Sequence, residues 1–449
     1  MSVSSNKSKK QLTKNFFSLT VVQIATYVLP LVSVPIVSRI IGPSNYGIIN
    51  FGAALITYFT LLISYSFDFS ATRKIAKNPE DADNRNKVFS EVFYTQCLLF
   101  IFSTIVFIIL LFVVPQFRHN LTVIIFSYFI CISTLFTQNW LFQAMQDLSK
   151  VAIFNLLSKL IFTIAILIVI RKNEDYIWQP FLIGVIQIAV SIWSFVWAVR
   201  RYKIHLHRIR FMRCIQVLWE EKMIFISLIF INLYTYTSIV ILGLYQNSEQ
   251  VGYYTSAQRL IAIAQSVLAI PLSQALYPFV GKAFGESREQ GLRVVQKIIP
   301  LILLFLGVIT ALMFLLGPIA IRLFYGAKFE GAIPVFQILT ISPLIFLLNN
   351  VLGVQIMLNL GMDRHFLITS ASAAVLSISF NLLMVRQWGY IGTTLNALII
   401  ETFLLITMYF ILRREGLNPI NLQYFKISSF RTYINPVKTK LLSFIVKSK

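Results

Sequence analysis

The chain has 449 residues, of which 57% are hydrophobic and only 12% charged, and its mean hydropathy is +0.75. Soluble domains carry roughly 45–50% apolar and about 25% charged residues, so lipid rather than water surrounds most of this protein. The formal charge of +22 would suggest a nucleic-acid partner in a soluble chain. Spread through an apolar one it reports topology instead, and no nucleic acid is expected as a partner.

A helix needs roughly 20 apolar residues to cross a bilayer core. In chain order such runs predict helices near 16–41, 47–68, 89–114, 121–142, 151–170, 178–199, 222–245, 252–279, 297–316, 332–358, 366–386 and 390–412. These runs are too long for strands and lack period-2 alternation, so the fold class is all-α integral membrane with about 12 transmembrane helices. The first run is too long for a signal-peptide core and carries Pro30 and Pro35 rather than a small-residue cleavage site, which predicts an uncleaved, bent first helix. Pro271 and Pro278 predict a bend in the eighth.

With the N-terminus inside, the cytoplasmic segments hold 30 of the 39 Lys and Arg, the outer segments hold 7, and Lys159 and Arg259 fall within helices. Lys and Arg concentrate on the cytoplasmic side of membrane proteins, so a multi-pass membrane protein with both termini on the cytoplasmic side is expected. The basic N-terminus covers 1–14, a charged break lies at 200–221, and the basic tail at 413–449 ends in a stretch suited to anionic lipid or to solvent. The segments FQAMQDLSKVAIF (142–154) and VQIMLNLGMDRHF (354–366) share Gln143/Gln355, Met145/Met357, Leu148/Leu360 and Phe154/Phe366 at an offset of 212. Six helices separate them, which predicts two six-helix lobes, 15–199 and 222–412, of the same membrane orientation, with a substrate passing between them.

Enzyme motifs such as GxxxxGK[ST], HExxH and GxSxG are absent, and the four histidines lie in predicted loops or at helix ends. Cys97, Cys131 and Cys214 have no metal or disulfide spacing. No catalytic residue, metal site or cofactor is expected. A charge at a helix centre costs about 2.5–3.5 kcal/mol on insertion scales and persists where it faces a cavity or a partner. Lys159 lies about eight residues into the fifth predicted helix, roughly 12 Å deep, beyond what snorkelling readily recovers. Arg259 lies inside the outer end of the eighth, and Arg39 near the outer end of the first, where snorkelling competes with function. A guanidinium suits bidentate phosphate binding, so Arg39, Lys159 and Arg259 form a candidate cationic path. Glu401, the deepest carboxylate, is either a proton or sodium site or a hydrogen-bond partner for a neighbouring helix. Asp68 and Glu91 are read as pairing with basic loops. Tyr58, Trp140, Trp193, Tyr253 and Tyr254 are read chiefly as belt or packing residues that could also stack on sugars.

The run NFFSLTVVQIATYVLPLVSVPIVSRIIGPSNYGIINFG, then SYSFDFSATRKIAKN, resembles the opening of the oligosaccharide flippases of polysaccharide biosynthesis, in the multidrug/oligosaccharidyl-lipid/polysaccharide (MOP) exporter superfamily. QNWLFQAMQDLSKVAIFNLLSKLIF, VGYYTSAQRLIAIAQSVLAIPLSQALYPFV, IRLFYGAKFEGAIPVFQIL and NNVLGVQIMLNLGMDRHF continue the resemblance over 15–412. It implies two lobes around a central cavity and transport of undecaprenyl-pyrophosphate-linked repeat units to the outer leaflet for O-antigen, capsule or exopolysaccharide, driven by H+ or Na+. It also implies the polysaccharide polymerase and chain-length regulator as partners. Arg39, Lys159 and Arg259 fall on positions where the family often carries basic residues, whereas Gln258 stands where an acidic residue is commoner. Competing readings are a cation-coupled multidrug exporter, a lipid II exporter, or, from another class, a membrane polysaccharide polymerase.

Overall fold

The computed structural model describes residues 2–426, excluding the side chains of 2–28, 30, 31, 231 and 233–235. The tail beyond 426 and the ring of Pro30, both singled out in the sequence, lie outside the described residues. Within them the chain is helical and contains no strand. The helices are α1 (Ser2–Ser64), α2 (Phe67–Ala76), α3 (Ala82–Val113), α4 (Pro115–His119), α5 (Leu121–Phe136), α6 (Asn139–Ala144), α7 (Leu148–Val169) and α8 (Trp178–Arg201). They continue as α9 (Phe211–Tyr245), α10 (Ser248–Ala264), α11 (Ile270–Glu286), α12 (Arg288–Tyr325), α13 (Ala332–Leu339), α14 (Ser342–Asn350) and α15 (Asp363–Arg414).

Among the described residues nine helical stretches are long and apolar enough to cross a membrane, which makes this a multi-pass membrane protein. The twelve expected segments are redistributed in that number. α1 holds the first two expected segments and breaks at Gly42 (φ 74°), while α15 holds the last two and breaks at Gly389 (φ 53°). Gly42 adopts the left-handed conformation at no steric cost, and Pro43, which has no N–H to lose, opens the next limb. The break at Gly42 falls in the gap, 42–46, expected between the first two segments. The seventh expected segment lies in α9, of which Tyr236–Tyr245 stands out as a shorter apolar stretch. The eighth is interrupted by a π-helical turn, Gln265–Ala269, directly before Pro271 at the start of α11. A wider turn there accommodates the carbonyl that the proline ring leaves without a partner.

The chain divides into two compact units, one of residues 1–255 with 321–330 and the other of 256–320 with 331–449. In the first, α5 packs along α8, and α1 along α5 and α7. A core of Phe67, Ile75, Phe89, Trp140, Leu141 and Phe142 joins α2, α3 and α6. A methyl on Gly47 would fall on the Ser248 carbonyl, and one on Gly252 on that of Pro43. Missing side chains thus let α1 and α10 approach backbone to backbone. In the second unit, α14 and the π-helical segment Val351–Leu358 pack on α15, around Leu347, Val351, Ile356, Met357 and Leu412. Large apolar side chains also face outward, such as Ile101, Ile105, Ile108 and Phe112 on α3 and Leu304, Val308, Leu312, Leu315 and Ile319 on α12. Such stripes suit lipid and would be a liability in water.

The two units share a local signature. At the end of α6, the Asp147 N–H bonds the Phe142 carbonyl at 2.8 Å around left-handed Gln146. In the other unit the Met362 N–H bonds the Met357 carbonyl at 2.8 Å around left-handed Gly361. At the end of α8, Ile204 bonds Val199 at 2.9 Å around left-handed Lys203, and after α15 Leu417 bonds Leu412 at 2.9 Å around left-handed Gly416. All four are Schellman-type helix ends. The first pair is related by 215 residues, as are the starts of α7 and α15, and the second by 213, so around the first turn the offset of 212 read from sequence is three residues short. A slip of three is close to one helical turn of 3.6, so the apolar pattern matches almost as well in either register.

Candidate functional site

Arg39 lies on the first limb of α1 and is exposed. Its guanidinium donates to the carbonyl of Leu323 and, at 3.4 Å, to that of Arg322. These belong to the last turn of α12, which carries the negative end of the helix dipole; the Arg322 carbonyl also accepts from the Gly326 N–H at 3.0 Å. Gly326 ends that helix at φ 87°, and a methyl there would stand 3.2 Å from the Arg39 Cγ. Arg39 is thus held at a helix terminus, a geometry in which it caps as well as carries charge.

Lys159 is half-buried on α7, which packs between α1 and α8. The helix begins at Leu148, three residues before its expected start, so Lys159 sits roughly 16 Å along it. Both cations lie in the first unit. Arg259, exposed on α10, and Glu401, half-buried on the second limb of α15, belong to the other.

Glu401 anchors a polar chain across its unit. The Ser342 hydroxyl lies 2.7 and 2.6 Å from the two carboxylate oxygens, and the Gln265 amide donates to the Ser342 oxygen at 3.2 Å. The Asn349 amide donates to the Glu401 backbone carbonyl at 3.0 Å. A hydroxyl has one hydrogen, so Ser342 serves one carboxylate oxygen at a time. Gln265 opens the π-helical turn, which brings the two features expected from sequence, a bent eighth segment and a deep carboxylate, into one network.

A cavity of about 250 Å³ in the first unit, not foreseen from the sequence, sets Thr57, Thr60, Ser64, Ser66, Asp68 and Asn232 beside Leu61, Tyr65, Phe69 and Leu228. Asp68 joins none of the ion pairs among the described residues, contrary to the expected pairing with a basic loop. The hydroxyls at 57, 60 and 64 recur at helical spacing inside an apolar span, and that was the available signal. Glu91 does pair as expected: Arg213 binds it at 2.8 Å and Glu220 at 2.7 Å, while Lys74 binds Glu221 at 2.7 Å. The hydrogen bonds that Arg213 donates to the Glu91 and Glu220 carboxylates push its guanidinium further up from its already high range. Of the aromatics, Trp140 and Tyr254 are buried packing residues, Tyr58 lies 2.5 Å from the Thr237 hydroxyl, and Trp193 is exposed. Among the described residues no three His, Cys, Asp or Glu side chains group as metal ligands.

This helical architecture is that of the MOP flippases and exporters. A lipid II flippase, MurJ, in an inward closed conformation matches with a TM-score of 0.70 at 14% identity, over 93% of this chain and 90% of that one. An inward-facing multidrug transporter of the MATE family matches at 0.64 and 14% identity, over 87% and 94%. At such identities the likeness is one of fold. The family model "Polysaccharide biosynthesis protein" matches residues 12–284, and the chain belongs to that family. Two curated relatives, each named as a candidate O-antigen transporter, align along nearly their whole length. The Escherichia coli (strain K12) protein is 26% identical over 92% of this chain and 99% of its own, and the Shigella dysenteriae protein 24% identical over 88% and 99%. These relatives and fold neighbours are transporters and flippases, none of them an enzyme.

Proposed function

We propose that this protein carries undecaprenyl-pyrophosphate-linked oligosaccharide repeat units from the inner to the outer leaflet of the cytoplasmic membrane, by alternating access, for assembly of O-antigen or a related surface polysaccharide. The observation that supports this most is the alignment, along 92% of the chain, with a candidate O-antigen transporter. In this reading 15–199 and 222–412 are the two working lobes, 200–221 connects them on the cytoplasmic side, and both termini are cytoplasmic. The polyprenyl tail stays in lipid while Lys159 and Arg259, with Arg39 near the outer end, offer the pyrophosphate successive cationic contacts. Glu401 with Ser342 is the coupling element, taking up H+ or Na+ in one half of the cycle. A polymerase and a chain-length regulator receive the product.

The test is complementation of a deletion strain. Lys159→Ala and Arg259→Ala should each abolish surface polysaccharide while leaving the protein in the membrane, and full activity in both variants overturns the cationic path. Cysteines placed at Lys77 and Arg210 should react from the cytoplasmic side; reaction from the outside alone overturns the topology.

A further inference from the structure

The first unit contains a second cavity, of about 400 Å³, lined by Arg85, Met145, Gln146, Asp147, Arg201, Tyr202 and Lys203. It lies where α6 and α8 end, on the side that the flippase reading places in the cytoplasm. Arg85, Arg201 and Lys203 bring three positive charges to it against the single carboxylate of Asp147. That carboxylate is already engaged, accepting from the Tyr202 phenol at 3.2 Å and from the Ser149 hydroxyl at 3.2 Å. Among the described residues neither Arg201 nor Lys203 takes part in an ion pair. Arg85 is fixed by its donations to the carbonyls of Pro79 at 2.9 Å and Tyr202 at 3.0 Å, and its Nε is buried without a partner.

The backbone supplies an independent observation. Two of the lining residues, Gln146 (φ 57°) and Lys203 (φ 51°), hold the left-handed conformation that disfavours any side chain with a Cβ. The matching helix ends of the other unit, with the same hydrogen bonds, carry Gly361 and Gly416. The fold therefore accepts glycine at these turns, and the first unit forgoes it at both places that face the cavity. The comparison extends to the arginine. Arg288 donates to the Glu415 carbonyl at 2.9 Å, next to Gly416, as Arg85 does to the Tyr202 carbonyl next to Lys203. What the first unit adds to the shared scaffold is a pair of strained side chains, one of them cationic. Strain that the scaffold does not require is kept where a side chain has work to do.

We propose that this cavity is a docking site for a lipid-borne phosphate or pyrophosphate group on the cytoplasmic side, apart from the path of Arg39, Lys159 and Arg259. Arg85 and Arg201 supply planar donors and Lys203 a compact charge, the combination suited to phosphoryl oxygens. The cytoplasmic placement rests on the flippase reading, in which the site would hold the cargo's diphosphate before it enters the membrane. A headgroup of the surrounding anionic lipid offers the same chemistry.

The test uses the full-length protein in detergent or nanodiscs, titrated with inorganic pyrophosphate, undecaprenyl pyrophosphate and phosphatidylglycerol. Wild type should bind pyrophosphate with an affinity that falls as salt rises. Lys203→Gly should weaken binding about tenfold, the effect of one charge-assisted contact, while thermal stability holds or rises because the strain is removed. Arg201→Ala should weaken binding similarly. The opposite signs for Lys203→Gly separate a ligand contact from a structural role. Preference for undecaprenyl pyrophosphate over phosphatidylglycerol assigns the site to cargo, and equal competition assigns it to membrane lipid. Unchanged affinity in both variants, or no binding of any of the three probes, overturns the proposal. A deletion strain that keeps its surface polysaccharide would sink the flippase reading and leave these binding results standing.

Discussion

The ion pair at the start of α9 offers a quantitative test of how the 200–221 region is held. Arg213 reaches Glu91 of α3 through two contacts, 2.8 and 3.3 Å, and the Glu91 side chain is only 6% exposed while that of Arg213 is 33% exposed. Removing the arginine leaves a buried carboxylate unpaired, which costs about 3–5 kcal/mol in a fully buried pair. The exposure of Arg213 and its second partner Glu220 screen part of that, so about 2 kcal/mol is the reasoned loss for Arg213→Ala. Nearby bonds share the load: the His205 N–H donates to Asn86 at 3.1 Å and the His207 N–H to Ser90 at 2.9 Å. The destabilisation should therefore appear as a lower thermal midpoint in detergent with no loss of helix content. Glu91→Gln should restore part of the loss when combined with Arg213→Ala, since the orphaned charge is then gone. Strict additivity of the two variants, within about 0.5 kcal/mol, would refute the claim that they act as a pair.

Other outcomes follow from the same geometry. Gly42→Ala places a methyl at φ 74° and should cost about 1–2 kcal/mol, read as a lower thermal midpoint. Gly47→Leu should be far more damaging, because the Ser248 carbonyl occupies the space of its Cβ; wild-type expression and stability would show that α1 and α10 do not meet there. Burial, and then the neighbouring Asp147, push the Tyr202 phenol above its ordinary value of 10.0. Its contribution is therefore complete below pH 10 and is lost as pH rises through the folded-state value, where the unfolded chain releases the proton first. Tyr202→Phe should flatten the fall in thermal midpoint above pH 10, and an unchanged alkaline slope counts against that linkage. Ser342→Ala should impair export in the same direction as Glu401→Gln but less severely, measured as surface polysaccharide in the deletion strain; full export in Glu401→Gln removes this carboxylate from the cycle.

Much of the fold was legible in the chain because the bilayer imposes its own code. Apolar runs of sufficient length must be helices there, since nothing else satisfies the backbone in lipid. The sequence alone therefore determined an all-α membrane protein, the approximate position of most of the long helices, and the pairing of Glu91 with basic residues. It placed the gap between the first two segments where Gly42 breaks α1, but it could not specify that the bend before Pro271 takes the form of a π-helical turn, because that depends on how the neighbouring helices satisfy the freed carbonyl. Nor could it fix the register of the internal repeat, where a three-residue slip preserves the apolar pattern.

Only the tertiary structure decided which polar groups meet. Ser342 and Glu401 are 59 residues apart, and Arg39 and the carbonyl it caps 284 apart; no local rule links such positions. The conformations of Gln146 and Lys203 were equally hidden, since a sequence records which residue is present and not the φ angle it is made to adopt. The two cavities followed the same division. Their residues were visible one by one as ordinary loop charges and helix hydroxyls, and they became sites only when packing drew distant turns to a common space.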